Sequence, residues 1–166
     1  MSRRLVLLLL LTAVAALGGG SLLRDSAGGG RPPAGAARAV VERVVDGDTI
    51  VLRGGERVRY IGMDTPESVK PGARVQCFAR AASRANDRLV GGQRVRLRYD
   101  AERRDRYGRT LAYVHRARDG LFVNAALVRG GYARVLTIEP NDSHAGLFRR
   151  LALRARGAGR GLWGAS

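Results

Sequence analysis

The chain has 166 residues, a formal net charge of +16 and a sequence pI near 11.6. That length gives one domain with room for a core, and so basic a small domain points to phosphate-rich partners, nucleic acid or an anionic membrane surface. Cys77 is the only cysteine, so an intramolecular disulfide is excluded, and the scattered Cys77, His115 and His144 argue against a structural zinc site.

The N-terminus opens with Arg3 and Arg4, followed by an apolar run from Leu5 to Leu17 without a polar face. A basic start, a leucine-rich stretch and Ala13-Val14-Ala15 read as an export signal over residues 1–25, or as a membrane anchor if it is not cleaved. Residues 1–30 hold three Arg and one Asp, so the remainder keeps a charge of +14 and the basic character belongs to the domain. Residues 26–38, rich in Gly, Ala and Pro, read as a flexible linker, and the globular part is expected over 39–166.

Val40 to Val45 reads as a strand, Asp46-Gly47 as a hairpin turn, and Thr49 to Leu52 as a second strand. Gly54-Gly55 turns the chain again, and Arg57 to Ile61 completes a three-stranded meander. From Val75 to Val90 the apolar spacing is helical, with Phe78, Ala82, Ala85 and Leu89 on one stripe and Gly91-Gly92 at its end. This setting makes Cys77 a small buried hydrophobe rather than a nucleophile. Val95, Leu97 and Tyr99 alternate with Arg94, Arg96 and Arg98, giving a strand with one basic face. Thr110 to His115 alternates again, Asp119-Gly120 turns, and Leu121 to Val128 is a short helix closed by Gly130-Gly131. A last helix runs from Ser143 as N-cap through Leu147, Leu151 and Leu153 to Gly157. Five short strands with inserted helices fit a small closed barrel of the oligonucleotide-binding type. Asn141-Asp142-Ser143 matches a glycosylation pattern but reads better as a turn into that helix, and His115 and His144 read as structural or solvated.

Three stretches carry chemistry. Asp46-Gly47-Asp48-Thr49 needs only its first two residues for a turn, so Asp48 is an extra acid at a strand start. Arg59 to Glu67 ends in two carboxylates, Asp64 and Glu67, on a turn stiffened by Pro66. Asp105-Arg106-Tyr107-Gly108-Arg109 places a guanidinium and a ring beside a glycine turn. Asp48, Asp64 and Glu67 make an oxygen-only set suited to Ca²⁺ or a similar cation. Arg59 and Arg109 supply two forks for a phosphodiester whose charge grows as it becomes five-coordinate, and Glu67 is placed to take a proton from an attacking water.

In this order and spacing the three stretches resemble the staphylococcal nuclease (thermonuclease) family. The resemblance continues through Leu111-Ala112-Tyr113-Val114, Val123 to Val128, Pro140-Asn141 and Trp163, and covers residues 39–163. It implies an α+β fold, a five-stranded oligonucleotide-binding barrel with three helices. It implies a secreted, monomeric Ca²⁺-dependent endonuclease that cleaves DNA and RNA and leaves 3′-phosphate ends. By matching position, Asp48 and Asp64 would bind Ca²⁺ by side chain and Thr65 by its backbone carbonyl. Glu67 would activate water, Arg59 and Arg109 would hold the phosphate, and Tyr107 would pack near the nucleotide. The departures fall on binding: Ala79-Arg80 replaces a glycine and glutamate at the first helix, and Leu136-Thr137-Ile138-Glu139 lacks a stacking ring. A barrel that holds nucleic acid without cutting it is the alternative, and the presence of all five acids and arginines weighs against it. A basic membrane-surface protein would leave the acid cluster unexplained.

Overall fold

The computed structural model describes residues 37–66 and 78–164. The expected export segment, Glu67, Cys77 and the first residues of the expected helix from Val75 lie outside the described residues, among which no helix is long and apolar enough to cross a membrane.

Five strands close into a barrel: β1 (Ala37–Val44), β2 (Thr49–Leu52), β3 (Arg57–Tyr60), β5 (Arg94–Arg98) and β6 (Thr110–Arg116), in the order β1-β2-β3-β6-β5. The meander β1-β2-β3 is antiparallel, as its short glycine turns require, and β3 meets β6 in parallel. Strand β1 belongs to both halves of the barrel. Its first residues pair with β5, its last with β2, and a register shift between Val41 and Arg43 lets it turn the corner. It starts at Ala37, two residues before the expected domain start at Ala39. A second, two-stranded sheet, β4 (Met63–Asp64) with β7 (Arg134–Val135), was not legible in the sequence.

Three helices complete the fold: α1 (Ala79–Val90), α2 (Val123–Arg129) and α3 (Ala145–Gly157). They close one core with the barrel, built around Ile50, Val58, Tyr60, Leu97, Leu127 and Phe148. Buried amides fix the joints. Asn124 accepts from Val114 N–H at 2.9 Å and donates to the Ile61 carbonyl at 3.0 Å, so α2 satisfies groups of the barrel that no strand reaches. Asn86 accepts the Tyr60 hydroxyl and donates to the Asp46 carbonyl, both at 3.0 Å, and so ties α1 to the β1–β2 turn.

Two readings of α3 are corrected. Ser143 does not cap it; His144 stands at the N-cap position without a side-chain cap. Ser143 is held by Asp100 instead, its hydroxyl donating to Oδ1 at 2.7 Å and its N–H to Oδ2 at 3.2 Å. Leu153 is 69% exposed and lies off the packed stripe, where Phe148 and Ala155 are buried. His115 and His144 join an aromatic group: His115 stacks on Phe122 at 4.5 Å, and His144 meets Tyr113 edge-on at 4.5 Å.

Candidate active site

The β1–β2 turn, the end of β3, the turn after β4 and the loop before β6 meet at one end of the barrel. They line a cleft of ≈ 200 Å³ bounded by Asp46, Asp48, Arg59, Asp64, Thr65, Pro66 and Arg109. Every described residue that the sequence marked for cation or phosphate chemistry is therefore brought together.

Asp48 is 5% exposed, and a carboxylate so buried needs partners. It has four. Thr49 Oγ1 donates to Oδ1 at 3.1 Å, and the Thr65 N–H and hydroxyl both donate to Oδ2 at 2.8 Å. Arg59 Nη1 lies 2.9 Å from Oδ1. These contacts fill the acceptor sites of the carboxylate. The close approach depends on Gly47: a Cβ there would sit 2.6 Å from Thr65 Cγ2 and 2.8 Å from Ala82 Cβ. The Asp46-Gly47 turn was thus legible, but its glycine serves to admit Thr65 and α1, not to supply a positive φ.

Arg59 bridges the two acids the sequence assigned to a cation. Its Nη2 lies 2.8 Å from Asp64 Oδ1, and its Nη1 also donates to the Met63 carbonyl at 3.1 Å. The acids expected to hold a cation and the arginine expected to hold phosphate thus pair directly with one another. Asp46 was read only as a turn residue. It lines the same cleft, where burial and then the neighbouring Asp48 carboxylate push it up to about 6. Among the described residues, no three His, Cys, Asp or Glu side chains form a ready cluster for a metal ion. The donors nevertheless suit a hard divalent cation: they are oxygens, and crowding raises Asp46 even with Arg59 present.

Arg109 is held by Asp105. Asp105 Oδ2 accepts Arg109 Nε at 2.7 Å, and Oδ1 accepts the N–H groups of Tyr107 and Arg109, both at 2.9 Å. Burial works against the Asp105 charge, but these donors outweigh it and hold the carboxyl below its usual range. Gly108, at φ 78°, closes the loop. Asp105 thus fixes one edge of the Arg109 fork, and the terminal nitrogens of Arg109 make no hydrogen bond or ion pair with another described residue. Asp105 is the positioning residue that sequence reasoning left unassigned; an Asp four residues before Arg with a glycine between is the signal of such a side-chain-closed turn.

Beside the cleft lies a cavity of ≈ 490 Å³, which Arg59 and Arg109 also line. One wall is Tyr107, 68% exposed, with Arg106 4.8 Å and Arg109 5.5 Å from its ring centre. Leu136 and Ile138 also line it, so the ring-poor loop does border this space. Asn141 fixes the loop by accepting from Glu102 N–H at 2.8 Å and donating to the Glu102 carbonyl at 3.0 Å.

A closed five-stranded barrel with acids and two arginines gathered at one end defines a phosphate-handling protein of the oligonucleotide-binding class. Residues 57–165 match the family model described as staphylococcal nuclease homologue. The chain is 45% identical over 127 residues to a thermonuclease of Staphylococcus intermedius, covering 75% of this chain and 74% of the relative. It is 39% identical over 126 residues to a thermonuclease of Staphylococcus hyicus, covering 74% and 73%. It is 40% identical over 131 residues to endonuclease YncB of Bacillus subtilis, covering 76% and 61%. The chain belongs to the staphylococcal nuclease family.

Proposed function

We propose that this protein is a Ca²⁺-dependent endonuclease that hydrolyses phosphodiester bonds of DNA and RNA and leaves 3′-phosphate ends. The observation that carries the reading is the buried Asp48 carboxylate, fully hydrogen-bonded, in one cleft with Asp64, Arg59 and an Arg109 held along one edge by Asp105.

In this reading Asp48 and Asp64, with the Thr65 carbonyl, hold the cation. When bound it supplies positive charge beside the scissile phosphate. Arg109 and Arg59 bind the phosphate oxygens, and their forks strengthen as negative charge grows on the way to the five-coordinate transition state. Glu67 takes the proton of the attacking water. The water oxygen bonds to phosphorus, the bond to the 5′ oxygen breaks, and a proton returns to that oxygen. A 5′ hydroxyl and a 3′ phosphate result. Tyr107 offers a stacking face to a base, and Leu136 and Ile138 form an apolar wall in place of a second ring, which lowers base selectivity. Residues 1–25 are read as an export signal or anchor, so the enzyme acts outside the cytoplasm, free or tethered, as a monomer.

The test is plasmid DNA incubated with the protein in Ca²⁺, in Mg²⁺ and in chelator. Cleavage is expected in Ca²⁺, weakly in Mg²⁺, whose tighter octahedral shell keeps its waters, and not in chelator. Full activity in chelator, or a preference for Mg²⁺, contradicts the reading.

A further inference from the structure

At the other end of the barrel lies a groove of ≈ 760 Å³ whose lining includes Arg38, Arg94, Arg96 and Arg118. It is remote from the cleft. Arg38 stands near the start of β1 and Asp46 follows its end, eight residues on, which at ~3.3 Å per residue is at most about 26 Å along the chain. Arg118 likewise follows the end of β6, whose start lies next to Arg109.

The arginines of this groove are arranged against their own electrostatics. Arg38 and Arg96 are direct partners across the antiparallel β1–β5 pair, and like charges in that position destabilise a sheet. Arg94 and Arg98 share the face of Arg96, two residues to either side. Arg38, Arg94 and Arg96 make no ion pair with any described residue. Asp119 is engaged by Arg116 at 2.6 Å and lies 3.7 Å from Arg118. The field is felt by a neighbour: His115, the cross-strand partner of Arg96, is pushed down to about 4 by burial and then by Arg98 and Arg96.

We propose that the Arg38–Arg94–Arg96 groove is a second contact surface for the phosphate backbone of nucleic acid, separate from the cleft that cuts it. It rests on the nuclease reading above. A concave row of guanidinium forks without carboxylate partners suits a linear polyanion, which each fork meets at one phosphate. An anion lying between Arg38 and Arg96 relieves their cross-strand repulsion. The groove then holds long substrates near the cleft and adds nothing to substrates of one or two nucleotides.

The test compares the full chain with the triple variant Arg38→Gln, Arg94→Gln, Arg96→Gln and with a charge-matched control, Arg149→Gln, Arg150→Gln, Arg154→Gln, on exposed positions of α3. Affinity is measured on a duplex of about 60 base pairs in chelator over a salt series, and turnover on a dinucleotide in Ca²⁺. At ~0.9 per phosphate contact, the triple variant flattens the slope of log affinity against log salt by about 2 to 3 and weakens duplex binding roughly 10-fold or more. Dinucleotide turnover stays at the parent value, and the thermal midpoint does not fall, since the repulsion between Arg38 and Arg96 is removed. The single variant Arg38→Gln, at the exposed strand start, shows a slope change of about 1 and serves if the triple variant loses its fold. A triple variant with the parent slope and affinity overturns the proposal. So does one that keeps duplex affinity but loses binding to vesicles rich in phosphatidylserine, which assigns the groove to a lipid surface. If the parent chain cleaves neither substrate, the nuclease reading itself fails; dinucleotide cleavage with an unchanged salt slope removes only the groove.

Discussion

Arg59 Nη1 lies 2.9 Å from Asp48 Oδ1, inside a cleft where that carboxylate already accepts three other hydrogen bonds. Because Asp48 has no acceptor site to spare, a cation can reach it only by displacing a donor. Three of the donors come from Thr49 and Thr65, buried and packed; the fourth is the Arg59 side chain. Arg59 is therefore the counter-charge that holds the two acids together, and in the proposed reading it is the group that a bound cation would displace.

Replacing Arg59 should separate these two roles. Arg59→Gln removes the competing charge, so Ca²⁺ binding measured by calorimetry without nucleic acid is expected to tighten several-fold. Turnover is expected to fall by ~10² or more, since a fork aimed at developing charge is lost. Unchanged or weaker Ca²⁺ affinity would show that Arg59 does not occupy the cation's place.

Asp48 and Asp64 should differ in what they do for the fold. Asp64 is half exposed, and its ion pair with Arg59 is the kind that contributes little to stability. Asp64→Ala is expected to lower cation affinity with little change in Tm. Asp48→Ala leaves the buried Thr65 N–H and its hydroxyl without their acceptor, at about 1–3 kcal/mol per orphaned group, so Tm falls as well. Excess Ca²⁺ partly restores its activity. Equal Tm losses in the two variants would count against this geometry.

The turn itself can be tested at Gly47. Gly47→Ala places a methyl 2.6 Å from Thr65 Cγ2, so Thr65 or α1 must shift. A loss of about 1–3 kcal/mol in urea unfolding, together with weaker Ca²⁺ binding, is expected. Parent-like stability and affinity would mean that the approach of Thr65 to Asp48 is not tightly set.

His115 gives the fold a pH dependence of defined sign. Its native value near 4 lies below the ordinary 6.5, chiefly through burial, so between these values the unfolded chain binds a proton that the native state does not. The contribution is fully present above about 6.5 and is lost as pH falls toward about 4. His115→Phe should show a smaller drop in Tm than the parent between about pH 7.5 and 4.5. Parallel curves would remove His115 as a source of acid sensitivity.

The barrel was readable because alternation in β5 and β6 and the glycine turns of the meander are local signals, and local signals agreed with the final packing. The three motifs were equally plain, and described residues of each line one cleft. What could not be read depends on partners distant in sequence. Nothing local tells that Arg59 would fall on Asp48, that Thr65 would turn its hydroxyl to the same carboxylate, or that Asp100 would draw Ser143 away from its helix end. Asn86, Asn124 and Asn141 read as ordinary polar residues, yet each satisfies backbone groups across the fold. Strands β4 and β7 are two residues each, too short for any periodicity, and Leu153 fits a leucine repeat that the true packing stripe bypasses.

The most direct test of the central claim is turnover at saturating Ca²⁺ and substrate for three variants: Glu67→Gln, Arg109→Ala and Arg149→Ala. The first removes the proposed base, the second the fork that Asp105 holds in the cleft, and the third an equal charge on the far helix. If the cleft is the catalytic centre, Glu67→Gln loses ~10² or more in kcat with substrate affinity little changed, Arg109→Ala loses ~10² or more in kcat and also binds substrate more weakly, and Arg149→Ala keeps the parent rate. Equal kcat in all three would mean that the acids and arginines of this cleft are structural and that the chemistry lies elsewhere.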